Sequence, residues 1–243
     1  MKQNWKYVLS ACLMSGPFFQ IQAQNKFVPM EDVNQVVDLT LDSLEQANTM
    51  RPVPGSSRRG DHPVLFLVGN STMRTGTKGN GDNGQWGWGH EVPQYFDSNK
   101  ITVENHALGG TSSRTFYKQL WPAVKKGIRK GDYVIIELGH NDNGPFDSGR
   151  ARASIRGISP TDSLVVTIKE TGRQDTVYSY GEYLRRFVKE CKALGAQPVL
   201  LSLTPRNAWD EKNPGHIVRV NETFGLWARQ VAEEQDIPFV DLN

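Results

Sequence analysis

The chain has 243 residues, a formal net charge of +2 and 22% charged residues. That length fits one α/β domain with a leader, and the near-neutral balance supplies neither a basic stripe for nucleic acid nor a polybasic patch for an anionic membrane. Two cysteines exclude a disulfide framework, and no segment after the leader approaches the ~20 apolar residues of a membrane span.

In chain order, Lys2 and Lys6 precede an apolar stretch from Tyr7 to Phe19, and Ile21-Gln22-Ala23 offers a small residue for cleavage. Residues 1–23 are therefore expected to be a secretory signal peptide, with the protein exported to a periplasmic or extracellular location. The alternative is a lipobox, Leu9-Ser10-Ala11-Cys12, with Cys12 as lipid anchor. Only Tyr7 and Val8 then lie between Lys6 and Leu9 of the box, too short an apolar core. Cleavage after Ala23 removes two lysines and no acids, taking the formal charge from +2 to 0. Cys191 is left alone, at helical spacing from Phe187, Val188 and Leu194, and reads as a small buried hydrophobe.

Residues 24–63 read as a lead-in: an amphipathic stretch at 33–44, then a Pro/Gly/Ser-rich linker at 51–60. From Val64 strands alternate with helices, which argues for a parallel sheet covered on both faces. Strands are predicted at 64–69, 101–106, 132–138, 197–203 and 237–242, and helices at 89–97, 113–129, 179–194 and 216–236. Two β-rich runs, 164–168 and 176–178, flank Thr171-Gly172-Arg173 and predict an inserted hairpin. The predicted fold is a three-layer α/β/α sandwich with about five parallel strands, flavodoxin-like, spanning 64–243.

Three predicted strand ends carry chemistry. The apolar run Val64-Leu65-Phe66-Leu67-Val68 leads through Gly69 and Asn70 to Ser71, a hydroxyl at the carboxyl edge where open α/β sheets bind ligands. The second strand ends in Leu108-Gly109-Gly110-Thr111-Ser112-Ser113, whose glycines bring backbone N–H groups close to a ligand. The third ends in Gly139-His140-Asn141-Asp142, with an amide that can point to the same spot. One nucleophile and several donors converging is the geometry of acyl transfer with an oxyanion hole.

Other features have plainer readings. Gly79-Asn80-Gly81-Asp82-Asn83-Gly84 matches the dinucleotide fingerprint, but it neither follows a strand directly nor opens a helix. An EF-hand fails there because Gln85 stands where glycine is needed. The glycine-rich stretch reads as a loop over the site. Trp86 and Trp88 can stack on sugar faces or anchor the following helix. Arg114, Arg150, Arg152 and Arg206 fall near strand-end loops, where an acidic polysaccharide or plain solvent can meet them. No cysteine–histidine cluster has metal-ligand spacing, so neither metal nor cofactor is expected. His106 reads as an interior histidine, and His140 as a loop-fixing side chain or a substrate contact.

The blocks Gly69-Asn70-Ser71-Thr72-Met73, Leu108 to Arg114 and Gly139-His140-Asn141-Asp142, in this order, resemble the SGNH/GDSL hydrolases and, within them, the rhamnogalacturonan acetylesterase branch. The resemblance implies Ser71 as nucleophile and an oxyanion hole of the Ser71 and Gly110 backbone N–H groups and the Asn141 side chain. His140, Trp86, Trp88 and Arg114 become candidate substrate contacts. It implies an acetylated plant polysaccharide or oligosaccharide as substrate. Asn70 departs from the family's aspartate. More seriously, the family's Asp-x-x-His block does not occur after Ser71. The sequence as it stands is expected to be C-terminally incomplete and to lack its general base. The Gly-x-Ser-x-Gly elbow of α/β-hydrolases fails because Met73 occupies its last position. The reading of another class is a glycan-binding module, or a nonfunctional fragment, that keeps the cleft without turnover.

Overall fold

The computed structural model describes residues 52–75, 86–219 and 222–243. The expected signal peptide, Cys12, the amphipathic stretch at 33–44 and most of the glycine-rich loop lie outside these residues. Strand β1, Val64–Gly69, is buried along its whole length. Its neighbours are β2 (Thr102–Asn105) and β3 (Tyr133–Glu137), both parallel to it. The sheet continues through β6 (Gln197–Leu201) to β7 (Phe239–Val240), in the order β2-β1-β3-β6-β7. A separate antiparallel hairpin pairs β4 (Ser163–Thr167) with β5 (Gln174–Tyr178), where the sequence predicts one.

Side chains alternate across a strand, so β1 contributes to two cores. Val64, Phe66 and Val68 pack with Phe116, Trp121, Phe187 and Val231, while Leu65 and Leu67 pack with Met73, Ala107 and Val92. The larger core is closed by a helical run at 113–124 (α1), by α2 (Tyr180–Ala193) and by α3 (Phe224–Glu234). Cys191 is wholly buried within it, as its spacing predicts. The smaller core is covered by two 3-10 turns, Trp88–His90 and Val92–Tyr95, where the sequence predicts a helix at 89–97. A Cβ at Gly89 would stand 2.7 Å from the Met73 carbonyl oxygen, so this segment presses its backbone against the β1 loop.

Proline accounts for two departures from the predicted elements. The helix predicted at 113–129 is interrupted by a π-helical turn, Phe116–Leu120, immediately before Pro122, which cannot donate to the preceding turn. The last strand keeps only Phe239–Val240 after Pro238. The helix predicted at 216–236 begins only at Phe224. Upstream of it a two-armed loop closes through Val218 N–H to Ala208 O (2.8 Å) and Asp210 N–H to His216 O (2.8 Å). Among the described residues no helix is long and apolar enough to cross a membrane.

The stretch read as a linker is instead tied to the sheet. Gly55 and Ser57 donate their N–H groups to Glu104, both at 2.8 Å, and Arg58 grips Asp132 through both terminal nitrogens at 2.7 and 2.6 Å. No local pattern in a Pro/Gly/Ser run reports a partner dozens of residues away.

Candidate active site

The strand order reverses between β1 and β3, and the crevice at that switch point is where α/β sheets of this order bind ligands. Ser71 lies just past β1 on a tight turn. Asn70 O accepts from Met73 N–H (3.2 Å) and Arg74 N–H (2.9 Å), and Asn70 Oδ1 accepts from Thr72 N–H at 3.1 Å. The turn leaves Ser71 partly exposed between the fully buried Asn70 and Met73. The departure at Asn70 has a structural consequence: its Nδ2 is buried with no acceptor among the described residues. Oδ1 does the work a carboxylate oxygen would do, and the second arm is a donor instead.

Hydrogen bonds lock the other two loops onto this turn. Leu108 N–H donates to Gly69 O at 3.1 Å, and the Thr111 hydroxyl lies 2.7 Å from Leu108 O and 3.3 Å from Gly69 O. Gly110 sits between them at φ +81°, a left-handed conformation suited to glycine. Its carbonyl accepts from Arg152 Nη1 at 3.0 Å. Asn141, buried after β3, donates from Nδ2 to Thr111 O at 2.8 Å. That bond orients the amide plane and uses one of its two N–H groups. These bonds thus tie the loops that carry Gly110 and Asn141 to the turn that carries Ser71.

Glu137, not singled out by sequence, is the hub beneath them. It is wholly buried at the end of β3. Its Oε1 accepts from Thr204 N–H at 2.9 Å and its Oε2 from the Trp88 indole N–H at 2.7 Å. The Thr72 hydroxyl lies 2.9 Å from Glu137 Oε1 and 3.0 Å from Asn70 Oδ1, sharing one proton between them. Burial raises the Glu137 carboxyl above its ordinary value, opposed by these donors. The signal available in the sequence was an acid closing an otherwise apolar strand, Val134-Ile135-Ile136-Glu137.

Asp142 is the second buried acid. It accepts from Ser113 N–H at 3.0 Å, from the Ser113 hydroxyl and from the Ser154 hydroxyl at 2.8 Å, joining α1 to the β3 loop. Burial pushes its carboxyl up to about 6, against the pull of Ser113. Between the usual carboxylate range and pH 6 the folded chain therefore holds a proton that the unfolded chain has released. Stability from this residue is complete below pH 4 and is lost as pH rises to about 6, an effect of roughly 3 kcal/mol. Relative to the wild type, Asp142→Asn is expected to gain stability across that window when urea melts are run at each pH. A pH-independent difference would refute the assignment.

The predicted substrate contacts separate. Arg114 is only 2% exposed; its Nη2 meets Asp175 Oδ2 at 2.6 Å and its Nη1 donates to the Phe146 and Ala153 carbonyls at 3.0 and 3.1 Å. It docks the hairpin onto α1 and is not presented to a ligand. Trp88 is an anchor, spent on Glu137, whereas Trp86 is 69% exposed and keeps an open ring face. His140 ties two loops together, donating from Nε2 to Thr204 O at 2.9 Å. Burial, then the charge of Arg206, pushes its imidazole down to about 4. His106 is buried against Glu104 at 2.8 Å, as an interior histidine should be. His62, His90 and His216 are exposed.

A parallel sheet of this order, with a serine-bearing turn tied to two further strand-end loops at the switch point, defines an SGNH-type α/β fold. The chain belongs to the GDSL-like lipase/acylhydrolase family, whose pattern matches residues 65–243. It is 28% identical over 179 residues to a rhamnogalacturonan acetylesterase of Emericella nidulans, covering 73% of this chain and 66% of that protein. It is 28% identical over 182 residues to the rhamnogalacturonan acetylesterase RhgT of Bacillus subtilis, covering 73% and 64%. The chain thus spans slightly less than two thirds of the length of these relatives. The solved structure of the Bacillus subtilis protein YxiM shares the fold, with a TM-score of 0.53 and 23% identity, over 75% of this chain and 44% of that one.

Proposed function

We propose that the chain carries the acyl-transfer site of a carbohydrate O-acetylesterase acting on acetylated rhamnogalacturonan. The observation that supports this reading is the interlocked turn, Gly69 O with Leu108 and Thr111, and Thr111 O with Asn141, which ties the loops of Gly110 and Asn141 to the turn that carries Ser71. Ser71 Oγ attacks the acetyl carbonyl, and the developing oxyanion is met by the Ser71 and Gly110 N–H groups and the second Asn141 N–H. The sugar alcohol leaves, and water then releases acetate from the acyl-enzyme. The names of the relatives support the polysaccharide assignment.

His140 is unsuited to act as base, because its Nε2 is a donor to Thr204 and its basicity is suppressed. The family's base belongs to an Asp-x-x-His block that these 243 residues do not contain. Acetate release from acetylated rhamnogalacturonan, measured on this chain and on one extended with such a block, tests the reading. Asn141→Ala is expected to lower kcat by about 10²–10³-fold with little change in KM, the usual cost of one oxyanion donor. An unchanged kcat would remove Asn141 from the mechanism. Saccharide binding without turnover in either form would favour the glycan-binding reading.

A further inference from the structure

Thr72, the residue after Ser71, is held on two sides, and both holds lead to Glu137. The Thr72 carbonyl accepts from Trp88 N–H at 3.0 Å, and the Thr72 hydroxyl lies 2.9 Å from Glu137 Oε1. The Trp88 indole N–H closes the triangle by donating to Glu137 Oε2 at 2.7 Å. Gly89 N–H adds a bond to Met73 O at 3.2 Å, so the turn and the Trp88 segment are fastened along their backbones as well.

The same carboxylate reaches the other side of the site. Its Oε1 also accepts from Thr204 N–H at 2.9 Å, and Thr204 O accepts from His140 Nε2 at 2.9 Å. His140 immediately precedes Asn141, whose amide is oriented by Thr111 O at 2.8 Å. A chain of hydrogen bonds thus runs from the residue after Ser71 to the residue before Asn141, with Glu137 in the middle. The Trp88 indole and the Thr204 N–H can only donate, so both oxygens of residue 137 must accept. A glutamine there would turn its NH2 group toward one of these donors.

We propose that Glu137 is a positioning residue that sets the Ser71 hydroxyl against the Asn141 oxyanion donor, through Thr72 on one side and through Thr204 and His140 on the other. This rests on the esterase reading, in which Ser71 and Asn141 act on the same acetyl carbonyl. Glu137 is wholly buried and acts through these neighbours. Its contribution to the rate is geometric, since a misplacement of ~1 Å at the reacting groups costs about 10²-fold.

The test uses p-nitrophenyl acetate and the chain extended with an Asp-x-x-His block, with rates taken per folded molecule. Glu137→Gln is expected to lower kcat about 10–100-fold with little change in KM. Thr72→Val, which removes the bridging hydroxyl, is expected to lower kcat about tenfold, and Thr72→Ser to restore most of it. The loss in the double variant Thr72→Val/Glu137→Gln should fall short of the product of the two single losses, because both break one link. A lowered urea midpoint in Glu137→Gln with kcat unchanged would make the residue merely structural and overturn the proposal, as would single losses that multiply. Amide hydrogen exchange keeps this distinct from a failure of the esterase reading. In the 243-residue chain, Glu137→Gln and Thr72→Val are each expected to speed exchange at the Met73, Arg74 and Trp88 amides about tenfold or more, while β1 stays protected. That result upholds the hold on the Ser71 turn even where no ester is turned over. Unchanged exchange at these amides, or equal acceleration throughout β1 and β3, overturns it.

Discussion

In the chain extended with an Asp-x-x-His block, replacing Ser71 with alanine is expected to lower kcat on an acetyl ester by about 10⁴-fold or more, leaving only what binding and the oxyanion donors achieve alone. The turn that presents Ser71 is held by Asn70 and by the Gly69 carbonyl, neither of which depends on the serine hydroxyl. The variant should therefore fold as the wild type does and still bind saccharide. Measured against turnover of the extended chain with Ser71 intact, retained activity would show that the acyl group passes elsewhere. Ser71→Cys offers a further check, since a thiol in the same place stays nucleophilic while altering the leaving-group balance.

The largest stability loss is expected at the opposite edge of the sheet. Asp132 is fully buried, and its two oxygens accept four N–H groups. Arg58 supplies two, at 2.7 and 2.6 Å; Val64 and Arg129 supply backbone donors at 2.9 and 2.7 Å. The Arg58 side chain is only 7% exposed. Asp132→Ala leaves a buried guanidinium and two backbone donors without their acceptor, which costs about 3–5 kcal/mol for a broken buried pair. That is a large part of a domain's net stability. Urea unfolding should show it as a lowered midpoint with little change in slope. The double variant Arg58→Met/Asp132→Leu should lose much less, because it removes both charges together. A loss below about 1 kcal/mol in Asp132→Ala would mean that water reaches Arg58.

The two variants also test different ends of the molecule. Ser71 stands past the carboxyl end of β1, whereas Asp132 immediately precedes β3 and bonds the first residue of β1. Asp132→Ala is accordingly expected to reduce the folded fraction without changing kcat per folded molecule, and Ser71→Ala the reverse.

The strands were legible because burial on both faces demands the continuous apolar run Val64 to Val68, and because glycine and proline punctuate the chain where it turns. The meeting of the loops that carry Ser71, Gly110 and Asn141 was legible for a related reason. A parallel sheet delivers successive strand ends to one edge, so residue type and order along the chain nearly determine proximity. What stayed hidden depends on distant partners. Arg114 follows a glycine loop and reads as a ligand contact, yet Asp175 lies sixty-one residues away in the hairpin and takes it inward. Trp88 and Trp86 are two residues apart and indistinguishable by type; Glu137 captures one and leaves the other in solvent. The gripping of Arg58 by Asp132 inside an apparent linker is of the same kind. The run predicted at 113–129 is helical but passes through a π turn next to Pro122, a local change that apolar periodicity does not report.

The central claim is that an acetyl group passes through the Ser71 oxygen. The most direct measurement is acid quenching of the protein during reaction with p-nitrophenyl acetate, followed by peptide mass analysis. One acetyl group is expected on the peptide containing Ser71, absent from Ser71→Ala and diminished in Asn141→Ala. Acetate release with Ser71 unmodified throughout, or acetyl groups accumulating on another residue at the same rate, would contradict it.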